Sequence, residues 1–429
     1  MLFKIYFFIV FLSLFSGCKK ASSLLEETIR PKTHNYAQSN QLVKECHFNQ
    51  LFLLLKNNKN ELLKASEEGL LYYYQNKSKI SNQYLSKAIN IYRNSENKAF
   101  FDVSTLLKQE YQGEGYDKVF LHNYKAINYL LLGQAESARV EARNSNTFQQ
   151  EEYLKLQTLQ KDNEGNDKNT YLLSRYDTLF QRVNQDYNPY QNPFAYYISA
   201  LTYAEDEDYG NALIDIKKAM KFFPNSTLLE EKLKLYNQKE KSSSIELFFD
   251  VGQSPLKSQV QLEMDIGNDE KEMLYLPTFS LSKSKIAYLE ILDGNENVIT
   301  KSTILSDINA IKINEFKEKL PSMLSVISNA LSSSVKSTAL SDKSKIFAGV
   351  FKAMMTIYAQ NDIATWSLLP QKILVVSFKA TKNPNYKIVT YTKEGNRLNE
   401  YPLLIQKSRV TKNTYRHFFL REEKMCYSN

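Results

Sequence analysis

Apolar positions along the chain fall into three regimes. The first is short: Lys4 precedes an apolar run from Ile5 to Phe15, and Ser16 and Gly17 follow before Cys18. Residues 19 to about 40 are polar, contain Pro31 and show no period, which predicts a tether. From about 41 to 240 the apolar residues recur at helical spacing with short breaks. The polar stretch NQKEKSSS, Asn237–Ser244, marks a boundary.

Beyond it the period changes. IELFFDV, SQVQLEMDI, EMLYLPTFSL, KIAYLEILD and NENVITKSTIL are short runs of β-branched and aromatic residues between turn residues. Asp293-Gly294-Asn295 is a hairpin signal. From about 307 to 360 helical spacing returns, in two segments separated near Ser341–Lys343. KILVVSFKA, NYKIVTYT, NEYPLLIQ and YRHFFLR then read as strands, with Lys393–Asn396 separating two of them. The pattern predicts an α+β fold: an all-α region over 41–240, then an antiparallel β domain over 245–429 with a helical insertion at about 307–360.

The N-terminal block reads as a secretory signal over 1–17: a cation, a short apolar core and small residues at the cut. The apolar run is too short to span a bilayer. Phe15-Ser16-Gly17-Cys18 resembles a lipobox, with Phe15 where Leu is usual and Leu14 one place earlier. That resemblance implies an acyl anchor on Cys18 and a tether over 18–40. Lys19, where Asp would retain such a protein, implies the outer membrane. The competing reading is an ordinary signal peptide with a chance cysteine.

Internal repeats sharpen the helical region. PFAYYISALTYAEDEDYGNALIDIKKAMKFFPNS, from Pro193 to Ser226, resembles the tetratricopeptide repeat. Tyr196, Ser199, Ala200 and Tyr203 match its first helix, and Ala212, Ile216, Ala219 and Pro224 its second. Small residues at Ala200 and Ala212 let two helices cross closely. A second unit runs from about Val119 to Glu152, with Ala126, Tyr129, Ala138, Ala142 and Ser145 in the equivalent places and Gly133 in the turn. A third spans about Gly69 to Asp102, with Tyr72, Ala88 and Tyr92. Stacked helical hairpins of this kind form a solenoid whose concave side binds peptides or partner helices. Helical geometry puts Asn123, Ile127 and Leu130 of one unit, and Phe194, Tyr197, Leu201 and Glu205 of the other, on that side. The bland alternative is an irregular helical bundle in which these residues pack on neighbouring helices.

Composition changes this picture little. In 429 residues there are 29 Tyr and 24 Phe but one Trp, and the scarcity of Gly and Pro favours helix. The net charge of +8 is spread along the chain without a basic stripe interleaved with aromatics, which argues against nucleic acid. With Cys18 assigned to lipid, Cys46 and Cys426 either pair, as an oxidising compartment allows, or stand as two thiols. His34, His47, His122 and His417 fall in no metal-ligand motif, so no metal or cofactor is expected. The nucleophile-elbow, zincin and P-loop patterns are missing, and no catalytic residue is assigned. A paired-carboxylate hydrolase needs no fixed spacing and stays open. Glu205–Asp208 reads more simply as a solvated turn. The apolar segment 346–359 reads either as a helix buried on the β domain or as a membrane- or partner-seated helix. Leu320, Met323, Leu324, Ile327 and Leu331 before it read as core.

Three longer stretches carry a further resemblance. YDKVFLHNYKAINYLLLGQAESARVEARNSN is similar to the repeat region of a family of uncharacterised bacterial lipoproteins. LSDINAIKINEFKEKLPSMLSVISNAL and DIATWSLLPQKILVVSF resemble the same family, in the same order and at similar separation. Where its members have a Gly/Ala-rich apolar stretch, this chain has the bulkier KIFAGVFKAMMTIYAQ. Family members often accompany small lipoproteins resembling activators of penicillin-binding proteins. The resemblance implies work in the cell envelope and carries over no activity. The expected partners are other envelope proteins, with peptidoglycan synthesis machinery as a candidate among them, and the repeat reading expects no small-molecule substrate. The expectation is a non-catalytic scaffold or adaptor held to a membrane by its lipid. The rivals are a regulator of peptidoglycan synthesis, a murein-processing enzyme and a surface adhesin.

Overall fold

Helices come first, and their starts follow from capping chemistry. The computed structural model describes residues 36–95, 111–163, 173–185, 187–240, 243–267, 270–336, 364–380, 385–405, 413–421 and 424–426. The helices are α1 (Tyr36–Lys44), α2 (Phe48–Leu55), α3 (Glu61–Tyr74), α4 (Ser78–Ser95), α5 (Gly115–Leu131), α6 (Ala135–Asn163), α7 (Asp177–Phe180), α8 (Pro193–Glu205), α9 (Tyr209–Met220) and α10 (Thr227–Asn237). Asn60 Oδ1 accepts the Leu63 N–H at 2.8 Å and opens α3. Asn192 and Asp208 do the same for α8 and α9, and Pro193 takes the first position of α8. Gly133, at φ +71°, makes the tight turn out of α5.

The pairs α3–α4, α5–α6 and α8–α9 form helical hairpins, and α4 packs on α5 as α6 packs on α8. Small residues make the close approaches. Ala88, Ala126, Ala138, Ala142, Ala200, Ala212 and Ala219 are fully buried. A Cβ on Gly69 would lie 2.7 Å from the Leu85 side chain, so α3 and α4 touch there through backbone.

The strands follow: β1 (Ser244–Val251), β2 (Leu256–Gly267), β3 (Glu270–Ser280), β4 (Tyr288–Leu292), β5 (Val298–Lys301), β6 (Thr303–Asp307), β7 (Lys372–Lys379), β8 (Asn385–Tyr391), β9 (Arg397–Leu404), β10 (Thr414–Arg421) and β11 (Lys424–Cys426). Helix α11 (Ile308–Lys336) is inserted between β6 and β7. A five-stranded sheet has the order β11-β10-β1-β7-β6, a four-stranded sheet β5-β4-β8-β9, and β2 and β3 form a separate ribbon. The fold is thus mixed α+β, a helical region followed by sheets with a helix inserted. The second half of the expected insertion, including 346–359, lies outside the described residues.

One expectation needs correction. The β domain is not wholly antiparallel, because β1 pairs with β10 in parallel, Ile245 opposite Thr414 through Val251 opposite Leu420. Its other neighbour, β7, is antiparallel. Which strand lies beside β1 is settled by a return of the chain across about 160 residues, and alternation within a strand carries no information about that.

All eight residues of β1 are buried, and period-2 alternation divides them between two cores. Ile245, Leu247, Phe249 and Val251 join Leu374, Val376 and Leu420 against Leu289, Ile291 and Ile388 of the four-stranded sheet. Phe248, with Ile373, Val375 and Phe419, joins the helical core around Tyr73, Tyr124, Phe194 and Ala200. Helices, first sheet and second sheet therefore form three layers, and Tyr36–Asn429 is one compact unit. The predicted boundary at Asn237–Ser244 separates two kinds of secondary structure that share a core. A third cluster seats α7 and β3 on α11, with Phe279 and Phe316 rings 5.4 Å apart.

Cys46, just after α1, is disulfide-bonded to Cys426 in β11, with Cα atoms 5.7 Å apart. The bridge joins the first described helix to the last described strand across 380 residues. Replacing either cysteine by Ser should lower unfolding free energy by about 2–5 kcal/mol, read by urea titration against the oxidised parent. Equal midpoints for parent and variant would remove the bridge from the list of stabilising contacts. Phe248→Ala should cost about 3–5 kcal/mol in the same assay, since it empties the contact between helices and sheet.

Candidate functional site

The face the hairpins turn toward the first sheet is where the sequence places partner contacts. The side chains of Ser244, Glu246, Phe248 and Asp250 on β1 point to it, as do Tyr415, His417, Phe419 and Arg421 on β10. Phe194 meets Phe248 edge-on, ring centroids 6.0 Å apart. The Tyr197 hydroxyl donates to Glu246 Oε2 at 2.7 Å. Leu201 is buried in the same core. Glu205 is half-buried and accepts from Asn413 Nδ2 at 2.7 Å and from the Tyr415 hydroxyl. Asn123, Ile127 and Leu130 are also buried, and Asn123 Oδ1 accepts from Ser145 on α6 at 2.9 Å. Phe194, Tyr197 and Glu205 thus meet the chain's own β1 and β10 segments, while Asn123 packs on α6.

Because most side chains in that contact are buried, their charges must be paired or neutralised. Three networks do this. In the first, Glu246 is held by Lys232, Ser244, Ser377 and Tyr197. Burial pushes its carboxyl up, and the Lys232 ammonium together with the Ser244 and Tyr197 hydroxyls outweighs burial and holds it below the usual range. A cleft of about 700 Å³ opens alongside, lined by Glu231, Lys232, Gln238, Ser244, Thr300 and Ser377.

The second network lies under the middle of the sheet. Tyr124 donates to Asp250 Oδ2 at 3.0 Å. Glu67 accepts from the Ser367 and Leu368 amides at 2.7 and 3.1 Å and from the Ser367 hydroxyl. Arg421 Nη2 donates to the Leu368 carbonyl at 2.9 Å, and its Nε and Nη1 have no hydrogen-bond partner. Burial raises Asp250 and Glu67 to about 7, more than their donors lower them. His417 donates from Nε2 to the Tyr73 carbonyl at 2.7 Å and stacks on the Tyr73 ring, and burial lowers it to about 4.

The third network gathers at the start of α5. Glu315 on α11 accepts from the Gly115 and Tyr116 amides at 2.9 and 3.3 Å, where the helix N-terminus favours a negative charge. Gly115 fits because a Cβ there would lie 2.9 Å from Glu152 Oε2. Burial pushes Glu114 up, but Lys257 on β2 and Lys319 on α11 hold it at about 2. Burial raises neighbouring Asp117 to about 7 and lowers Lys312 to about 8. Lys312 donates to Ser254, Thr365 and the Trp366 carbonyl at 3.0–3.1 Å.

Through these contacts most of the buried charges tie helices, sheet and α11 together. His122 is likewise buried, with Nδ1 2.5 Å from Glu141, while His47 is exposed. Among the described residues no three His, Cys, Asp or Glu side chains group as metal ligands, and no helix is long and apolar enough to cross a membrane. Cys18 and His34 lie outside the described residues. Sequence reasoning missed Glu67, Asp250, Lys312 and Arg421. The one legible signal was in SIELFFDV, where Ser244, Glu246 and Asp250 share a face with Phe248. Compared with models of known families and with curated proteins, the chain matches none.

Lys232→Met should destabilise by about 3–5 kcal/mol because it leaves Glu246 buried and unpaired. Lys387→Met, at an exposed pair with Glu296, should barely change stability under the same urea titration. Asp250 titrates near 4 in an unfolded chain and near 7 here. Its contribution to stability is complete below about pH 4 and is lost as pH rises through 7. Urea unfolding from pH 4.5 to 7.5 should show the parent losing stability relative to Asp250→Asn. Parallel pH profiles would contradict that assignment.

Proposed function

We propose that this chain is a lipid-anchored protein of the cell envelope whose folded body acts as a non-catalytic adaptor for other envelope proteins. The single observation that carries the reading is the Cys46–Cys426 disulfide, which suits an oxidising, extracytoplasmic compartment. It lies just beyond a polar stretch that follows the lipobox-like Phe15-Ser16-Gly17-Cys18. Acylation of Cys18 confines the body to one membrane face, and Lys19 favours the outer membrane. The α3–α4, α5–α6 and α8–α9 hairpins are read as tetratricopeptide-like units of a short solenoid. Their buried alanines and the successive packing of the pairs support this. In this reading the sheet plays the part that a bound peptide plays in such repeats, and it stiffens the solenoid. Partners then meet outward surfaces, where Val140 and Leu154 on α6 and Ile214 on α9 are about half exposed. Confinement raises the effective concentration for partners on the same membrane.

The test is crosslinking in living cells followed by affinity purification and mass spectrometry, native chain against Cys18→Ala. Specific envelope proteins should be recovered with the native chain and lost with the variant. Recovery of a murein synthase would narrow the role to peptidoglycan synthesis. A native chain that captures nothing would sink the adaptor reading, and release of fragments from purified sacculi would replace it with an enzyme.

A further inference from the structure

The first described helices carry a surface that the lipid-anchor reading alone does not require. On α2, Leu51 and Leu55 are buried, but Leu53 is 63 % exposed and Phe52 is half-buried. Phe52 meets Tyr72 of α3 edge-on at 5.8 Å between centroids, and Tyr72 stacks on Tyr84 of α4 at 5.2 Å. Ile80, 38 % exposed, is one helical turn before Tyr84 and shares its face. Three partly exposed rings in contact, flanked by the exposed Leu53 and Ile80, thus span three helices.

Cations border them. Lys56 Nζ lies 4.8 Å from the centre of the Phe52 ring, and Lys77 Nζ lies 5.8 Å from that of Tyr72. Lys59 and Lys79 are exposed nearby in sequence. The acids of the same helices are engaged or withdrawn: Glu61 is paired with Lys87 at 2.6 Å, and Glu68 is buried. Lysines lying over aromatic rings, with an exposed leucine next to Phe52 in sequence, match the headgroup region of a bilayer. There amphipathic rings and apolar tips enter while ammonium groups meet lipid phosphates.

We infer that the strip of Phe52, Leu53, Tyr72, Ile80 and Tyr84, edged by Lys56 and Lys77, seats on an anionic lipid membrane. The inference rests on the proposed anchor at Cys18. Between Cys18 and Tyr36 the chain can extend at most about 60 Å, so α1 and α2 are the folded elements held nearest the lipid along the sequence. An acyl anchor with a second, basic and apolar contact gives firmer attachment than either alone. Docking of the strip would fix which side of the body faces the membrane and which is left for partners.

The test uses the chain from residue 18 onward with Cys18→Ser, purified in its disulfide-bonded form, so that no acyl chain contributes. It is sedimented with vesicles of phosphatidylglycerol and phosphatidylethanolamine, and separately with phosphatidylcholine vesicles. Binding should favour the anionic vesicles and weaken with added salt. Leu53→Asp should lower it about tenfold, and Lys56→Gln and Lys77→Gln about fivefold each. Leu404→Asp alters an equally prominent leucine, 81 % exposed on β9, and should leave binding unchanged. Thermal melting of each variant separates loss of binding from loss of fold. No preference for anionic vesicles, or equal binding by Leu53→Asp and its parent, would overturn the inference. So would a photoreactive residue at position 53 that captures protein instead of lipid in cells. The intact mass of the native chain reports acylation of Cys18 independently, so failure of the anchor and failure of the strip are told apart.

Discussion

β1 has no solvent-facing side, and the rest of the structure is organised by that constraint. A strand buried on both faces must give each alternate residue a partner, apolar or polar. Its odd positions supply the core against the second sheet, and its even positions meet the helices. Two of those even positions are carboxylates, so Lys232, Tyr197 and Ser377 are drawn in at Glu246, and Tyr124 at Asp250. The helical hairpins are held against the sheet by the same residues that neutralise it.

Burial of so much charge has a structural consequence. Pairs such as Lys232–Glu246 add little net stability over apolar packing, but they penalise any arrangement that leaves one member alone. The start of α5 shows this well. Glu315 from α11 caps it, Glu114 at its edge is neutralised from β2 and α11, and Gly115 leaves room for the approaching carboxylates. A shift of α11 relative to α5 would strand several charges at once. These polar contacts register the inserted helix on the helical layer alongside its apolar contacts through Ile308, Ala310 and Ile311.

The sheet also decides what the hairpins can present. The side of α8 that carries Phe194 and Tyr197 packs on the chain's own β1. The Cys46–Cys426 bridge closes the same unit at its other margin, tying α1 to β11 where the sheet ends.

Much of the fold was legible because it is local. Alternation in IELFFDV and KILVVSFKA, helical spacing over 41–240 and the Asp293-Gly294-Asn295 turn each depend on neighbours a few residues away. Asp293 Oδ1 accepts from the Asn295 and Asn297 amides within that turn. Sequence alone also placed Phe194, Tyr197 and Leu201 on one helical face and counted Cys46 and Cys426 as a candidate pair. Tertiary structure decided what lies against that face, that β10 runs parallel to β1, and that the two sulfurs meet. It also decided that Glu67, Asp250, Lys312 and Arg421 are buried. These outcomes depend on contacts between residues tens to hundreds of positions apart. The period of a helix or strand shows which side a residue takes, and only the assembled layers determine what waits there.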